Sequence, residues 1–364
     1  MVSSLDRLET PVEIQTEVVD VCPLCGDPGA KLLFWNYDRL YRFSGEFGTL
    51  ECEQCHFIRL SPRPTVDTIK RHYPEGYGAY VPPPFATQDL DGSFKNRARN
   101  LIRNSVLSTL GYQNEALKGL QKLLRPVFVT LFFKHATYGF GEFFPRSVPN
   151  GRALEVGCGN GNFLSRLKRH GWHVNGVDLS AHAVAAAKQN FDIDVFHGQL
   201  DDAPFPAETF DYIHLSHVVE HFFDPLKTMK KVRDLLKPGG IIYIEVPNAA
   251  SVSVKISKEF WYGWDPPRHL FMFTPETLDS LLQKAGLKRI KVRTRMWNSF
   301  DWAYAYKQED VSGKIEPERL SLPLKARFVV AVENIRARVD HFFHPDQGDN
   351  ILCIAERSDA HPNE

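Results

Sequence analysis

The sequence predicts an α/β fold with a doubly wound, mostly parallel sheet. The first observation is an apolar stretch, Arg152–Val156, that ends in three glycines at alternate positions and continues into a helical pattern. The second is that further apolar strands alternate with helical segments, which is typical of a parallel sheet covered by helices. The third is composition, because a chain of 364 residues that is 43% hydrophobic can bury a sizeable core.

The glycine turn indicates a nucleotide or nucleoside site. Gly157, Gly159 and Gly161 remove every Cβ where the backbone must bend, and a helix is predicted directly after them at Asn162–His170. The free N–H groups of that helix suit an electron-rich ligand. A dinucleotide fingerprint, G-x-G-x-x-G, requires glycine where Asn162 stands, so the spacing counts against an NAD-dependent oxidoreductase.

The other predicted elements follow in alternating order. Strands are predicted at Trp172–Asp178, Asp192–Phe196, Phe210–Ser216, Ile241–Val246, Lys288–Trp297 and Asn350–Arg357. Helices are predicted from Ser180 to Asn190, from His217 onward, at Met229–Leu236, after the cap residue Thr274 and near Leu324–Phe343. Ligands of open α/β sheets bind beyond the carboxyl ends of the strands, so Asp178 is expected to accept hydrogen bonds from ribose hydroxyls.

The pattern Glu155-x-Gly157-x-Gly159-x-Gly161 resembles the first motif of class I S-adenosylmethionine-dependent methyltransferases. The resemblance extends from Arg152 to about Arg357. It implies a Rossmann-like sheet with an antiparallel edge strand, S-adenosylmethionine as cofactor, and an insert at about 298–349 that covers the substrate. In the adenine site, Gln199 replaces the usual acidic residue. The implied cofactor contacts are Glu155, Gly157, Gly159, Gly161, Asp178, Gln199, Leu200, Asp201 and His217.

A second motif, His217-x-x-Glu220-His221, has the spacing of a zinc peptidase site. Its place directly after a predicted buried strand argues instead for a methyltransferase, in which the histidines would lie near the methyl group. His217 or His221 would then take a proton from the acceptor, because imidazole titrates near neutrality. Transfer would be to oxygen or, with a keto-sugar, to carbon, and it requires no metal.

Aromatic residues crowd the loop after the fifth predicted strand. Trp261, Tyr262 and Trp264, together with Arg268 and His269, would suit a polar ring such as a sugar, with His269 as another candidate base. A hydrophobic plug is the alternative interpretation. The chain also resembles bacterial sugar methyltransferases with a zinc-binding front end, which implies a sugar, a sugar nucleotide or a glycosylated natural product as the small-molecule or glycan acceptor.

Four of the six cysteines form two C-x-x-C pairs and predict a structural zinc site. The pairs are Cys22 with Cys25 and Cys52 with Cys55. Two such turns complete a four-sulfur shell with no position for water. Disulfides are the weaker interpretation in a reducing compartment, and a redox motif leaves the second pair unexplained. Cys158 and Cys353 lack partners at ligand spacing and are expected to be buried small residues.

Three regions are predicted: a zinc-binding module at 1–80, a linker and helical segment at 81–150, and a methyltransferase domain at 151–364. Proline-rich stretches at Ser61–Pro64 and Val81–Pro84 predict the linker. Helical periodicity follows from about Phe94 to Phe144. Within it, the very apolar run Val127–Phe133 is interpreted as core, as a cover for a pocket or as a peripheral membrane contact.

The net charge of the chain does not indicate a macromolecular partner. The chain has 44 lysine and arginine residues and 44 aspartate and glutamate residues. It therefore has no net positive charge that would attract nucleic acid or an anionic membrane. Arginines beside Tyr37 and Tyr41 leave a rival hypothesis, a zinc-ribbon protein that binds nucleic acid or protein on a non-catalytic scaffold. No signal peptide or spanning segment is recognised, so a cytoplasmic location is expected. The oligomeric state stays open.

Overall fold

The computed structural model describes residues 15–73, 107–112, 144–297, 300–312 and 322–358, with the backbone alone for 308–312. These residues belong to two compact units. The first contains the described residues among 1–74, 215–233 and 244–364, and the second contains those among 75–214 and 234–243. The apolar run Val127–Phe133 and almost all of the predicted helical segment around it lie outside the described residues.

The first unit begins with small antiparallel sheets that carry the cysteine pairs. Strand β3 pairs with β2 and β4, and β1 pairs with β5. The stretch Ser61–Pro64, predicted as the start of a linker, is instead part of this fold, because Arg63 and Pro64 pair with β1. The elements are β1 (Thr16–Glu17), β2 (Ala30–Asn36), β3 (Phe47–Cys52), β4 (Ile58–Leu60), β5 (Arg63–Pro64) and the one-turn helix α1 (Val66–Ile69).

The later elements mostly alternate between strand and helix, as the sequence predicts. The first eight are β6 (Arg152–Val156), α2 (Asn162–Arg169), β7 (His173–Asp178), α3 (Ala181–Phe191), β8 (Val195–His197), β9 (Phe210–Ser216), α4 (Pro225–Leu235) and β10 (Leu236–Pro247). The others are α5 (Val252–Ser257), β11 (Phe271–Met272), α6 (Pro275–Lys284), β12 (Leu287–Arg295), α7 (Phe300–Ser312), α8 (Leu324–Phe343) and β13 (Asn350–Arg357).

Seven of these strands form the central sheet, in the order β12-β13-β10-β9-β6-β7-β8. Strand β6 is parallel to β7, and β7 is parallel to β8, whereas β12 and β13 are antiparallel. Strand β10 is buried on both faces, because Ile242, Ile244 and Val246 on one face are inaccessible and Tyr243 and Glu245 on the other are 3% and 6% exposed. The predicted doubly wound fold with an antiparallel edge is confirmed, and Cys158 and Cys353 are buried as predicted.

The helix predicted from His217 is wrong. His217 has a φ of 53°, in the left-handed region that cannot start a right-handed helix. A 3-10 turn at Val219–His221 follows, and α4 begins only at Pro225. There the Asp224 side chain accepts a hydrogen bond from Lys227 N at 2.9 Å, so a cap and a proline at the first helical position define the start.

Strand β11 extends the N-terminal sheet, whose order is β11-β4-β3-β2. Phe271 of β11 opposes Arg59 of β4. Leu60 N donates a hydrogen bond to Leu270 O, and Leu270 N donates to Glu220 O, both at 2.9 Å. The end of the aromatic loop is therefore fixed to the N-terminal sheet on one side and to the turn after β9 on the other.

Two helices occupy the predicted insert. The helix near Leu324–Phe343 is confirmed with those bounds as α8, whereas α7 was not predicted. Val330 and Ala337 of α8 form a buried cluster with Val252 and Phe300. Among the described residues, none of the helices combines the length and the apolar character needed to cross a membrane.

Candidate functional site

The three glycines in the turn between β6 and α2 have positive φ angles, which glycine adopts without strain. The φ angles are 69° at Gly157, 52° at Gly159 and 77° at Gly161. A Cβ on Gly161 would also lie 2.9 Å from the Cβ of Ala187 in α3. The alternate glycines therefore let the chain pass close to α3 at the N-terminus of α2.

Asp178, at the end of β7, holds this turn in place. Its Oδ2 accepts a hydrogen bond from Gly159 N at 2.8 Å, and its Oδ1 accepts one from Ser180 N at 2.9 Å. Burial raises the pKa of Asp178, although the backbone bonds act in the opposite sense. Each oxygen keeps a second lone pair, so the carboxylate can still accept bonds from ribose hydroxyls. The sequence did not predict its bond to the glycine turn.

Glu155 of β6 is buried, and its Oε2 has no hydrogen-bond partner among the described residues. Burial and the neighbouring Asp178 carboxylate raise the pKa of Glu155 well above its usual range, against a smaller opposing effect of Arg166. A buried polar atom without a partner costs free energy unless a ligand supplies the missing bond. Glu155 is therefore available to a bound cofactor.

The end of β8 carries three further predicted cofactor residues. Gln199 is exposed, Leu200 is buried and begins a 3-10 turn, and Asp201 is half-buried. Gly198 N donates to Asp178 O at 3.0 Å, which keeps this turn beside the end of β7. The adjacent parallel strands β6, β7 and β8 thus all end in predicted cofactor residues, as in ligand sites of open α/β sheets.

In the first unit, Glu220 is fully buried among three histidines. Its Oε1 lies 3.5 Å from His217 Nδ1 and 3.9 Å from His269 Nε2. Neither carboxylate oxygen forms a hydrogen bond within the described residues. Burial raises the pKa of Glu220, but His217, His221 and His269 together lower it below its usual value. A buried carboxylate therefore stays ionised in this cluster.

His217 lies between two carboxylates. Its Nε2 is 3.6 Å from Glu245 Oε1, and Asn350 Nδ2, at 3.4 Å from the same ring nitrogen, also donates to Glu245 at 2.9 Å. Burial lowers the pKa of His217, but Glu220 and Glu245 outweigh that effect and raise it to about 10. This environment favours the cationic form of His217, which argues against the predicted role of this ring as general base.

His221 and His269 each direct Nδ1 at a backbone carbonyl oxygen. His221 Nδ1 lies 2.8 Å from Arg268 O and 3.0 Å from the Tyr73 hydroxyl, and His269 Nδ1 lies 2.7 Å from Gly263 O. Because a carbonyl only accepts, we assign the hydrogen to Nδ1 in both rings, which leaves a lone pair on each Nε2. Burial lowers the pKa of His221 to about 4, so this ring is neutral at pH 7.

The structure assigns Arg268 a different role from the predicted contact with the acceptor. Its guanidinium is fully buried and donates two bonds to Asp38, at 2.8 Å each, and two to Asp265, at 2.9 and 2.6 Å. The fifth donor bonds His72 O at 3.2 Å. All five N–H groups are used. Arg268 therefore joins the N-terminal sheet to the loop that carries His269, and the predicted acceptor contact is wrong.

The aromatic loop is mostly buried. Trp261 and Trp264 are 3% and 5% exposed and meet edge to face at 5.4 Å, and Trp264 Nε1 donates to Lys258 O at 2.7 Å. Tyr262 is half-buried and packs against Trp302 at 5.2 Å. The two tryptophans thus match the alternative interpretation of a hydrophobic plug, with only their edges left for a ligand.

Sequence reasoning missed four residues of this cluster, namely Asp38, Tyr73, Glu245 and Asn350. Glu245 had a signal, since it is an acidic residue inside an otherwise apolar predicted strand. Asp38 had none, because 230 positions separate it from Arg268 and no local pattern connects the two.

The thiols of the two cysteine pairs converge. Cys22 Sγ lies 3.6 Å from Cys55 Sγ, Cys25 Sγ lies 3.5 Å from Cys52 Sγ, all four lie within 4.8 Å of one another, and none forms a disulfide. A tetrahedral zinc ion with Zn–S bonds of about 2.3 Å separates its sulfurs by about 3.8 Å. The four thiols could therefore hold such an ion.

Both cysteine turns share one geometry. The residue after each pair is left-handed, with φ of 81° at Gly26 and 59° at His56. Gly26 N donates to Cys22 O at 2.7 Å, and His56 N donates to Cys52 O at 3.0 Å. The repeated turn points both thiols of each pair toward the common centre.

Comparisons with known proteins identify similar sequences and structures. Residues 136–292 match a family described as a methyltransferase domain. A ubiquinone biosynthesis O-methyltransferase from Ruegeria pomeroyi is 30% identical over 172 residues, covering 44% of this chain and 69% of the relative. One from Cereibacter sphaeroides is 28% identical over 173 residues, covering 44% and 70%. A solved methyltransferase structure from Archaeoglobus fulgidus has 21% identity and a TM-score of 0.40, covering 64% of this chain and 94% of that chain.

The doubly wound sheet and its glycine turn define an α/β protein with a nucleoside site. The sequence matches show which family of α/β proteins this is. The chain belongs to the S-adenosylmethionine-dependent methyltransferase family. It is an enzyme with S-adenosylmethionine as cofactor. The alternatives of an NAD-dependent oxidoreductase, a zinc peptidase and a non-catalytic scaffold find no support in these matches.

An Asp178→Ala substitution is expected to weaken S-adenosylmethionine binding at least about tenfold, since it removes a charged acceptor and the bond that holds Gly159. Isothermal titration calorimetry measures the affinity. Asp194→Ala is the matched control, because that carboxylate is 92% exposed, and it should bind as tightly as the unmodified protein. Equal affinities for both variants would contradict the assignment of Asp178.

An Asp38→Asn substitution is expected to lower the free energy of unfolding by about 3 kcal/mol, because it leaves part of the Arg268 charge buried without a partner. Denaturant titration measures the loss. Asp67→Asn replaces an exposed carboxylate in the same sheet region and should change stability by less than about 0.5 kcal/mol. A loss as small as the control's would show that Asp265 alone neutralises Arg268.

Proposed function

We propose that the enzyme methylates a hydroxyl group of a small-molecule acceptor, with His221 or His269 as general base. The observation that carries the proposal is the pair of imidazoles whose Nδ1 atoms face backbone carbonyls while the buried Glu220 lies beside them. Such a ring has its tautomer fixed and its Nε2 lone pair ready to accept a proton. The cationic His217 would keep Glu220 ionised, and Glu220 in turn would stabilise a base that becomes protonated.

The chemistry needs modest assistance from the protein. The bound cofactor supplies a methyl group already activated by a sulfonium sulfur. The acceptor O–H loses its proton to Nε2 of the base, and the acceptor oxygen bonds to the methyl carbon as the carbon–sulfur bond breaks. Positioning and deprotonation are therefore the main contributions of the chain.

We assign cofactor binding to the ends of β6, β7 and β8. Glu155 offers its unpaired oxygen and Asp178 its free lone pairs, and both lie beside the glycine turn. Gln199, Leu200 and Asp201 would border the adenine. His217 directly follows β9 and His221 lies four residues further on, and ligands of open α/β sheets bind beyond such strand ends, which supports an acceptor beside them.

The acceptor class is inferred in two steps. The relatives are named as O-methyltransferases of ubiquinone biosynthesis, which supports oxygen as the methylated atom and a small molecule as acceptor. A sugar or glycan acceptor is the finer proposal. It is supported by the tryptophans and charged groups that line a small depression at the aromatic loop, because side chains of these kinds suit a polar ring. The lining includes Arg39, Glu259, Trp261, Trp264, Asp265 and Tyr306.

An acceptor screen separates these classes. Purified enzyme would be incubated with radiolabelled methyl donor and with nucleotide sugars, free sugars or simple catechols, and the products analysed by mass spectrometry. Methylated sugar products would support the glycan class. Turnover of catechols alone would overturn that class while preserving O-methylation, and methylation at a sugar carbon would overturn the choice of oxygen.

Replacing the base is expected to lower kcat by about a hundredfold or more without changing S-adenosylmethionine affinity. His221→Ala and His269→Ala would be compared by steady-state kinetics and calorimetry, with exposed His173→Ala as control. If His221 is the base, its neutral form persists down to its pKa of about 4, so kcat/KM should stay level from neutral pH to about pH 5 and fall below it. A fall near pH 6.5, typical of an unperturbed imidazole, would exclude His221 as the base.

We further propose that the four thiols bind one structural zinc ion and that residues 1–80 form a zinc-binding module. A four-sulfur shell has no open position for chemistry, so the ion would stabilise a small sheet with little core of its own. The segment at 81–150 and the domain at 151–364 remain proposals of the same kind.

Purified protein is expected to contain about one zinc ion per chain, measured by atomic emission. Cys25→Ser should lower the metal content and the temperature of unfolding, since a ligand is lost from a closed shell. Cys353→Ser tests a cysteine outside the cluster and should keep the full metal content. Metal-free protein whose unfolding temperature is unaffected by Cys25→Ser would refute the zinc site.

A further inference from the structure

Helix α8 has a long apolar stripe that faces solvent. Phe328, Val332, Ile335, Val339 and Phe342 follow one another at alternating spacings of four and three residues, so they share one face of the helix. Exposed fractions are 71% for Phe328, 64% for Ile335 and 80% for Phe342. Within the described part of the chain, nothing covers this stripe, although apolar patches of this length on a soluble surface usually mark an interaction site.

The opposite face of α8 is already occupied. Ala326, Val330 and Ala337 are buried, and the last two pack against Val252 and Phe300. The small residues let the helix lie close to the protein. The exposed stripe is therefore additional to the apolar surface that the fold itself needs.

Charged residues are distributed unequally around the stripe. By the 3.6-residue period, Arg327 and Arg338 border it on one side, and Lys325 and Arg336 border it on the other. All four are exposed. The two acidic residues of the helix, Glu333 and Asp340, are half-buried and lie nearer the packed face, and Glu333 Oε2 lies 3.8 Å from Arg336 Nη1. The outward surface is therefore apolar in the middle and positive along both edges.

We propose that α8 lies on the surface of an anionic lipid bilayer. An apolar stripe bordered by basic residues is the arrangement that inserts into the headgroup boundary, with the long side chains reaching the phosphates. Each basic residue near an anionic surface adds to the attraction. The helix carries four basic and two acidic residues, which is incompatible with crossing the bilayer but suits lying along it.

A second copy of the chain fits the surface less well. Antiparallel pairing of two stripes about Ile335 would bring the two Arg336 side chains together at the centre of the contact. Like charges in such flanking positions oppose coiled-coil pairing. Negative lipid headgroups would instead neutralise the same arginines.

Flotation of the full chain with vesicles tests the proposal without reference to catalysis. Vesicles of phosphatidylcholine alone would be compared with vesicles of phosphatidylcholine and phosphatidylglycerol. The protein should float with the second composition, and raising the salt concentration should reduce the bound fraction. Light scattering without lipid measures self-association in parallel.

Two kinds of variant separate the apolar and electrostatic contributions. Ile335→Ser and Phe342→Ser should each weaken binding about tenfold, because each removes a large side chain from the bilayer boundary. Arg327→Gln and Arg338→Gln should each weaken binding to the anionic vesicles about fivefold. Trp35→Ser is the matched control, since Trp35 is an aromatic residue 55% exposed on β2, and it should float like the unmodified protein. Unchanged unfolding temperatures would show that the variants are folded.

Three outcomes would overturn the proposal. The first is unmodified protein that does not float with the anionic vesicles. The second is flotation that Ile335→Ser and Phe342→Ser leave unchanged, which would place the contact elsewhere on the chain. The third is a lipid-independent dimer that Ile335→Ser dissociates, combined with no flotation, which would assign the stripe to a second copy.

Discussion

Much of the candidate acceptor site depends on the buried guanidinium of Arg268. Removing such a charge from water costs several kcal/mol, and the cost is offset only because Asp38, Asp265 and a backbone carbonyl use all of its donors. The backbone oxygen of the same residue faces His221 Nδ1. One residue therefore couples ion pairing in the N-terminal sheet to the orientation of a candidate base.

The histidines after β9 show how environment separates identical side chains. His217 lies between two carboxylates and is cationic, whereas His221, four positions later, is buried beside a carbonyl and neutral. Opposite protonation states within one turn give the site both a fixed positive charge and a free lone pair. A site of this kind can stabilise an ionised acceptor and accept its proton at the same pH.

Local patterns predicted the sheet well. The apolar runs of β6, β9 and β13 and the cap at Thr274 were found because strand and helix signals lie within a few residues. The left-handed backbone at His217 was not found, because a strand-to-helix pattern carries no sign of φ at a non-glycine residue. Arg268 was misjudged for a different reason. An arginine among aromatics looks like a surface contact until its partner, far away in the sequence, is known.

The pairing of β11 with β4 also affects the order in which this protein can fold. The N-terminal strands leave the ribosome first, but the edge of β4 stays unpaired until Phe271 and Met272 have been synthesised about 200 residues later. At synthesis rates of about 5–20 residues per second, that interval is about 10–40 s. A nascent chain with an open sheet edge for that time is exposed to strand exchange with its neighbours. If the cysteine turns bound a metal ion early, the N-terminal strands would be held in a fixed structure sooner, and the time in which they could exchange with neighbouring chains would be shorter.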